Sequence, residues 1–427
     1  MRRLMGAVGA VVALVLVLVL TACTDTGAGA GAGAGRAPGR GGGQDSERGS
    51  TGPAVPGATA SGRTGAPAAA PPRIPSGAEL PGWSHSPGFA SDGSGFALLA
   101  SCVEDEKVPV NGFCRQHVAV LDRGAKEWAL RRSPLPEARG TDGISSALWV
   151  LGPGRALIEE GGTAPETSRT WFTRDGGRSW KEGGPRTVGT APAIPAGAVL
   201  TTDCARPSGA LGEECRLERL VVVSPQDGQR RALARQPLLG AHPRPAAVAE
   251  PDGSWWVSGT DPASGRAAVA VSRDAGRSWS VSRLPSPSTA PNWHTSVAVG
   301  PDAVYAAEMG ELKEGEPVKN PMRALHRSVD GGRTWERVWT TGPMVEPRTL
   351  LGMPAPGPGG RVLIGAEDRE YVSVDGGRGF RPSGRAAGHT RRTPLGLLRQ
   401  GDGCSYGISA DGVRWAEFRL ACEDENS

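Results

Sequence analysis

Thr173-Arg-Asp175-Gly-Gly177-Arg-Ser179-Trp180 is one of four copies of a single eight-residue phrase. The others are Ser272-Arg-Asp274-Ala-Gly276-Arg-Ser278-Trp279, Ser328-Val-Asp330-Gly-Gly332-Arg-Thr334-Trp335 and Ser373-Val-Asp375-Gly-Gly377-Arg-Gly379-Phe380. The order is a hydroxyl, any residue, Asp, a small residue, Gly, Arg, a small or hydroxyl residue and an aromatic. An Asp side chain accepts bonds from backbone N–H groups just ahead of it, and Gly supplies the positive φ of a tight turn. The phrase therefore reads as a turn between two strands, with the aromatic restarting the sheet, and these Asp, Gly and aromatic positions are expected to be structural.

Worn relatives fill the gaps. Asp175 to Asp274 spans 99 residues, and Val221-Val-Val-Ser224-Pro-Gln-Asp227-Gly228 sits in the middle of that span. Val118-Ala-Val-Leu-Asp122-Arg-Gly124, followed by Trp128, precedes the first copy, and Ser409-Ala-Asp411-Gly412-Val-Arg-Trp415 follows the last. The seven Asp positions 122, 175, 227, 274, 330, 375 and 411 are separated by 53, 52, 47, 56, 45 and 36 residues. Periods of this size suit four-stranded blades, so the expected fold is an all-β propeller of antiparallel blades, seven in number, with six as the alternative. In the last unit we count Cys404–Ile408 as a second strand, which makes Asp411 a chance resemblance. That unit then lacks a fourth strand, and residues 73–82 are expected to supply it.

The phrase resembles the Asp-box, or BNR repeat, of the sialidase superfamily. The resemblance implies a propeller; it implies activity only if an arginine triad, a Tyr nucleophile with its Glu, and an Asp acid/base accompany it. Pro72-Arg73-Ile74-Pro75 is similar to the aromatic-Arg-Ile-Pro phrase that carries the family's first triad arginine, with Pro in place of the aromatic. Tyr305, with Glu308 beyond it, is the best placed tyrosine for a nucleophile, and a core role is its simpler reading. Trp255-Trp256, on an alternating strand, must face opposite sides, so at least one belongs to the core.

The N-terminus carries an address. Arg2 and Arg3 precede an apolar run from Leu4 to Leu20, the layout of a secretory signal peptide. Its end, Leu20-Thr21-Ala22-Cys23, resembles the lipobox of bacterial lipoproteins, which implies cleavage after residue 22 and a lipid on Cys23; an ordinary cleaved signal or an uncleaved helix are the alternatives. Residues 23–72 are nearly all Gly, Ala, Pro, Ser and Thr with scattered Arg and read as a disordered tether, leaving 73–427 for the propeller. The expected location is the extracytoplasmic face of a bacterial membrane. Six further cysteines, an even number in an exported chain, are expected to pair as near neighbours: Cys102–Cys114, Cys204–Cys215 and Cys404–Cys422. No Cys-x-x-Cys spacing or His grouping points to a metal or cofactor. A net charge of +4 without a basic block argues against nucleic acid as a partner.

Six acids close the second strands in this parse: Glu104, Glu159, Asp203, Asp261, Glu308 and Glu367. Loops there surround the mouth opposite the Asp turns, so the set is expected to form a ring of negative potential for a cationic or cation-bridged ligand. The functional expectation is a monomeric, membrane-anchored binding or scaffold module for a surface glycan, peptide or protein. The alternative is an exo-acting glycoside hydrolase of the sialidase type, and a third is an assembly factor for a membrane complex.

Overall fold

The computed structural model describes residues 70–105, 107–139, 144–161, 168–208, 214–286, 294–310, 321–367, 369–386 and 388–422. The signal sequence, Cys23 and the tether as far as residue 69 lie outside the described residues.

Seven four-stranded sheets form the blades of a β-propeller. Blade one is Trp83–Phe89, Gly95–Val103, Phe113–Leu121 and Ala129–Arg131, with Ala138–Arg139 also pairing to its third strand. Blade two is Ser146–Gly152, Arg155–Glu160, Arg169–Thr173 and Lys181–Gly183. Blades four to seven follow the same meander: Arg244–Pro245 to Ser280–Arg283, His294–Val299 to Glu336–Thr340, Leu351–Pro356 to Arg381–Ala386, and His389–Thr393 to Ala416–Arg419. Within each, consecutive strands pair antiparallel.

The sequence explains the layering. Second and third strands such as Val304–Met309 and Ala267–Ser272 are buried at every position because each lies between two neighbouring blades. Fourth strands such as Ser280–Arg283 and Lys181–Gly183 are largely exposed and correspondingly polar. Side chains alternate between the two seams: Trp255 packs with Leu200 and Leu220 of blade three, and Trp256 with Val297 and Val304 of blade five. Both indoles are core, each contributing about 3 kcal/mol of apolar burial.

Each copy of the phrase joins a third strand to a fourth. Asp330 Oδ1 accepts from Arg333 N at 3.0 Å, Thr334 N at 2.9 Å and Ser328 Oγ at 2.8 Å, while Oδ2 accepts from Thr334 Oγ1 at 2.7 Å. Ser328 Oγ in turn accepts from Gly332 N at 2.8 Å. Asp175, Asp274 and Asp375 repeat the arrangement. The two positions after each Asp hold φ between 60° and 89°, which Gly tolerates and which Ala275 adopts at φ 60°.

Two expectations for the last blade are corrected. Its strands are His389–Thr393, Gly396–Gln400, Ser405–Ser409 and Ala416–Arg419, so the segment counted as second is the third and no strand is missing. The arginine-rich His-Thr-Arg-Arg-Thr strand does not look like one in sequence, which hid the first hairpin. Asp411 is consequently a true turn residue, accepting from Val413 N and Arg414 N at 2.9 Å each. Residues 74–80 act as a clasp: Gly77 bridges Leu420 in parallel, Gly77 N donates to Arg419 O at 2.8 Å, and Cys422 N donates to Ala78 O at 3.0 Å. Ile74 and Leu80 are buried among Phe89, Trp128 and Phe418, sealing the seam between blades seven and one.

All three expected disulfides are formed: Cys102–Cys114, Cys204–Cys215 and Cys404–Cys422. Such bonds fit an oxidising, extracytoplasmic compartment. The third ties the end of blade seven beside the clasp.

Candidate functional site

Blade three departs from the meander. Thr187–Ala191 lies where the first strand should come in sequence, yet it pairs in parallel with Arg230–Leu233 at the outer edge of the sheet, which runs on through Glu214–Val223 to Val199–Ser208. The strand nearest the axis is therefore Val199–Ser208. Beside it, Ala247 O accepts from Leu200 N at 2.9 Å while Ala246 N donates to Trp256 O at 2.8 Å, so one segment of blade four serves both blades.

A cleft of about 930 Å³ lies between blades two and three, with Val188 of the displaced strand in its lining. Leu157 and Phe172 form its apolar wall, and Glu159, Asp203, Arg230 and Arg186 supply charge. Gly228 limits it at the turn end, where an added Cβ would stand 2.7 Å from the Phe172 Cβ. Arg230 Nη2 donates to Glu159 Oε1 across the cleft, with both side chains largely covered. Thr187 Oγ1, on the displaced strand, donates to Asp203 Oδ2 at 2.6 Å, and Arg219 Nη2 lies 3.5 Å from the same oxygen. Arg219 Nε and Arg230 Nε are buried and have no partner among the described residues. Burial pushes the Glu160 carboxyl up from its ordinary value, with Arg169 opposing. The cleft thus presents the Glu159–Arg230 ion pair, the Asp203 carboxylate and Arg186 beside an apolar wall.

The six acids do not form a ring of open charge. Only Glu159 and Asp203 meet in one site. Asp261 closes its own loop, accepting from Ser264 N at 2.8 Å and from Arg283 Nε at 2.8 Å, which holds its carboxyl down at about 2. Glu308 is fully buried, with His326 Nε2 at 2.6 Å and the Ser286 hydroxyl donating at 2.9 Å. Glu104 and Glu367 are exposed on blades one and six. Strand ends attract acids, but in four of these cases a neighbouring donor answers the charge.

The catalytic candidates are also separated. Tyr305 and Glu308 lie three residues apart on one strand and so face opposite seams: Tyr305 packs with Val362 and Ile364 of blade six, while Glu308 faces the blade-four side with Ser286. Burial raises the Tyr305 phenol above its ordinary range, the reverse of what a nucleophile needs. Arg73 is exposed beside Ile74, which is buried in the clasp, so the Arg-Ile-Pro phrase serves closure of the ring. The residues that sequence reasoning missed are Thr187, Arg219 and Arg230. Arginines are too abundant here to single out, and the only signal was a polar 187–191 segment where an apolar inner strand was due.

No family model matches the chain, and no curated protein matches it. Among solved structures, similar folds include a xyloglucanase from Xanthomonas campestris (13% identity over 81% of this chain and 80% of that one, TM-score 0.29). A microbial sialidase matches at 16% identity over 79% of this chain and 66% of its own, TM-score 0.32, and Sqt1 from Saccharomyces cerevisiae at 7% over 82% and 88%, TM-score 0.39. These are likenesses of fold, and what each protein acts on or binds belongs to that protein.

Proposed function

We propose that this chain is a binding module: an Asp-box propeller carried on a lipidated Cys23 at the extracytoplasmic face of a bacterial membrane, taking a surface glycan, peptide or protein in the cleft between blades two and three. The observation that carries this reading is the cleft itself. Its volume of about 930 Å³ falls in the range of small-ligand sites. Its mixed lining of paired carboxylates, guanidinium groups and one apolar wall suits a polar, hydrogen-bonding ligand. The separation of Tyr305 from Glu308 favours binding over the hydrolase reading.

Two experiments test the proposal. In the first, the full chain is screened against bacterial-surface glycan and peptide arrays alongside Glu159→Gln/Arg230→Gln; loss of at least tenfold in affinity for any hit supports the cleft, and unchanged binding removes it. In the second, labelled fatty acid is followed in cells expressing the chain or Cys23→Ser. Incorporation that the substitution abolishes supports the anchor, and absence of label from the unaltered chain contradicts it.

A further inference from the structure

The first strands of the blades line the central channel, and His389–Thr393 of blade seven places two adjacent arginines there. Arg392 reaches across the axis. Its Nη2 donates to Val299 O of blade five at 3.0 Å, and its Nε stands 3.1 Å from Glu250 Oε2 of blade four. Blades four and seven sit on opposite sides of a seven-membered ring, so this pair bars the channel near its turn end. Glu250 answers the Arg392 charge.

Arg391 is different. Its guanidinium donates to the Pro87 carbonyl of blade one, and among the described residues no carboxylate pairs with it. Solvent reaches it, as its place on an innermost strand requires, although protein surrounds it closely enough that burial presses its pKa below the ordinary arginine value. A solvent-reached guanidinium on an inner strand, with a neutral carbonyl as its partner, can take an anion by charge-assisted hydrogen bonds.

The opposite wall offers a donor. Ser84 pairs in register with Leu99, whose side chain packs with Leu398 and Tyr406 of blade seven, so Ser84 faces the same seam as Arg391. The Tyr406 hydroxyl donates to Ser84 O at 2.9 Å, fixing the two strands together. Ser84 is only 6% exposed, and its hydroxyl has no partner among the described residues; neither has His85 Nε2. The His85 ring packs with that of Trp83, 5.4 Å between centroids, and burial pushes its pKa down to about 4.

We propose that the seam between blades seven and one, inside the channel, binds one oxyanion, a carboxylate, phosphate or sulfate group, held by the Arg391 guanidinium with the Ser84 hydroxyl as a second donor. The site is independent of the cleft. Trp83, 44% exposed, marks the mouth end of the same strand, and Pro87 lies four residue steps along it, a depth of roughly 13 Å. A free ion or the anionic end of a slender ligand reaches that far; a bulky chain does not.

The test is calorimetric titration of the full chain, in chloride buffer at fixed ionic strength, with inorganic phosphate, sodium sulfate and galacturonate in separate arms, and a thermal-shift measurement beside it. A saturable response to at least one is expected, and the arm that responds separates an inorganic ion from a sugar carboxylate. Arg391→Gln should weaken that response by about tenfold or more, Ser84→Ala by a few-fold, and Arg391→Lys should retain most of it. Lys126→Gln, exposed on the turn face, should leave it unchanged. If Arg391→Gln does not fold, the lysine and Ser84 variants decide. No saturable response in any arm, or equal responses in the unaltered chain and in Arg391→Gln, overturns the proposal.

Discussion

Blades five and six obey the repeat and blade three breaks it, and the contrast separates what holds this molecule together from what it can do. In blades five and six each turn is fastened by an Asp that accepts from two backbone N–H groups, and the sheet behind it is solid apolar core. In blade three the turn is worn: Asp227 is taken by Arg231 Nη1 and Nη2 at 3.1 and 2.6 Å and accepts one backbone N–H, that of Gln229. The strand ahead of it has moved to the outer edge, where its Val188 lines the cleft against blade two. Regularity builds the scaffold, and the lapse in regularity lies beside the cleft.

Substitutions should divide along the same line. The largest expected effect is at Gly332, where an added Cβ would lie 2.5 Å from Trp256 Cη2 and φ is +85°. Gly332→Ala should cost about 3 kcal/mol in chemical denaturation and leave ligand affinity of the folded fraction unchanged. Asp330→Ala removes the acceptor of the same turn and should cost about 1–2 kcal/mol, again without a change in affinity. Gly228→Ala reverses the pattern. Its Cβ must push Phe172 towards the cleft, so affinity should fall by more than the loss of about 1–2 kcal/mol in stability accounts for, read by comparing the binding constant with the denaturation midpoint. The smallest effect has the opposite sign: Ala275→Gly relieves a left-handed alanine and should raise stability by up to about 1 kcal/mol.

Acid titration probes the Asp turns. Hydrogen bonds from Ser179 and Ser278 hold Asp175 and Asp274 at about 2 each. A carboxyl depressed in the fold contributes stability above its unfolded pKa of about 4 and loses it as pH falls through its folded value. Thermal midpoints should therefore decline between about pH 4 and pH 2, and Asp274→Asn should flatten part of that slope. Glu250 acts in the other direction, since burial raises it to about 7 against the pull of Arg392. Its protonated form is favoured in the fold, so it opposes stability as pH rises from about 4 towards 7, and Glu250→Gln should remove that limb.

Much of the scaffold was legible because the turn chemistry is local: hydroxyl, Asp and Gly within five residues specify their own hydrogen bonds, and four repeats give the period. Pairing of near-neighbour cysteines was legible for the same reason. The site was not, since Glu159 and Arg230 stand 71 residues apart and meet across two blades, while Thr187–Ala191 runs parallel to an unexpected neighbour. Nothing in Thr-Val-Gly-Thr-Ala states which edge it will choose. The acids were visible and their partners were not, so a set of charges that aligned in sequence became separate, mostly satisfied pairs in space. The last blade failed in the strand count for a related cause: two consecutive arginines disguised an inner strand, where Arg392 pairs with Glu250 and Arg391 donates to the Pro87 carbonyl.

The claim that scaffold and ligand site are separate can be tested in one paired measurement: affinity for an array-identified ligand and denaturation midpoint, taken together for Asp330→Ala and for Glu159→Gln/Arg230→Gln. The account predicts that the first lowers the midpoint with affinity intact, and that the second loses at least tenfold in affinity with a midpoint close to that of the unaltered chain. Retained affinity in the cleft variant, or affinity lost equally in both, would contradict it.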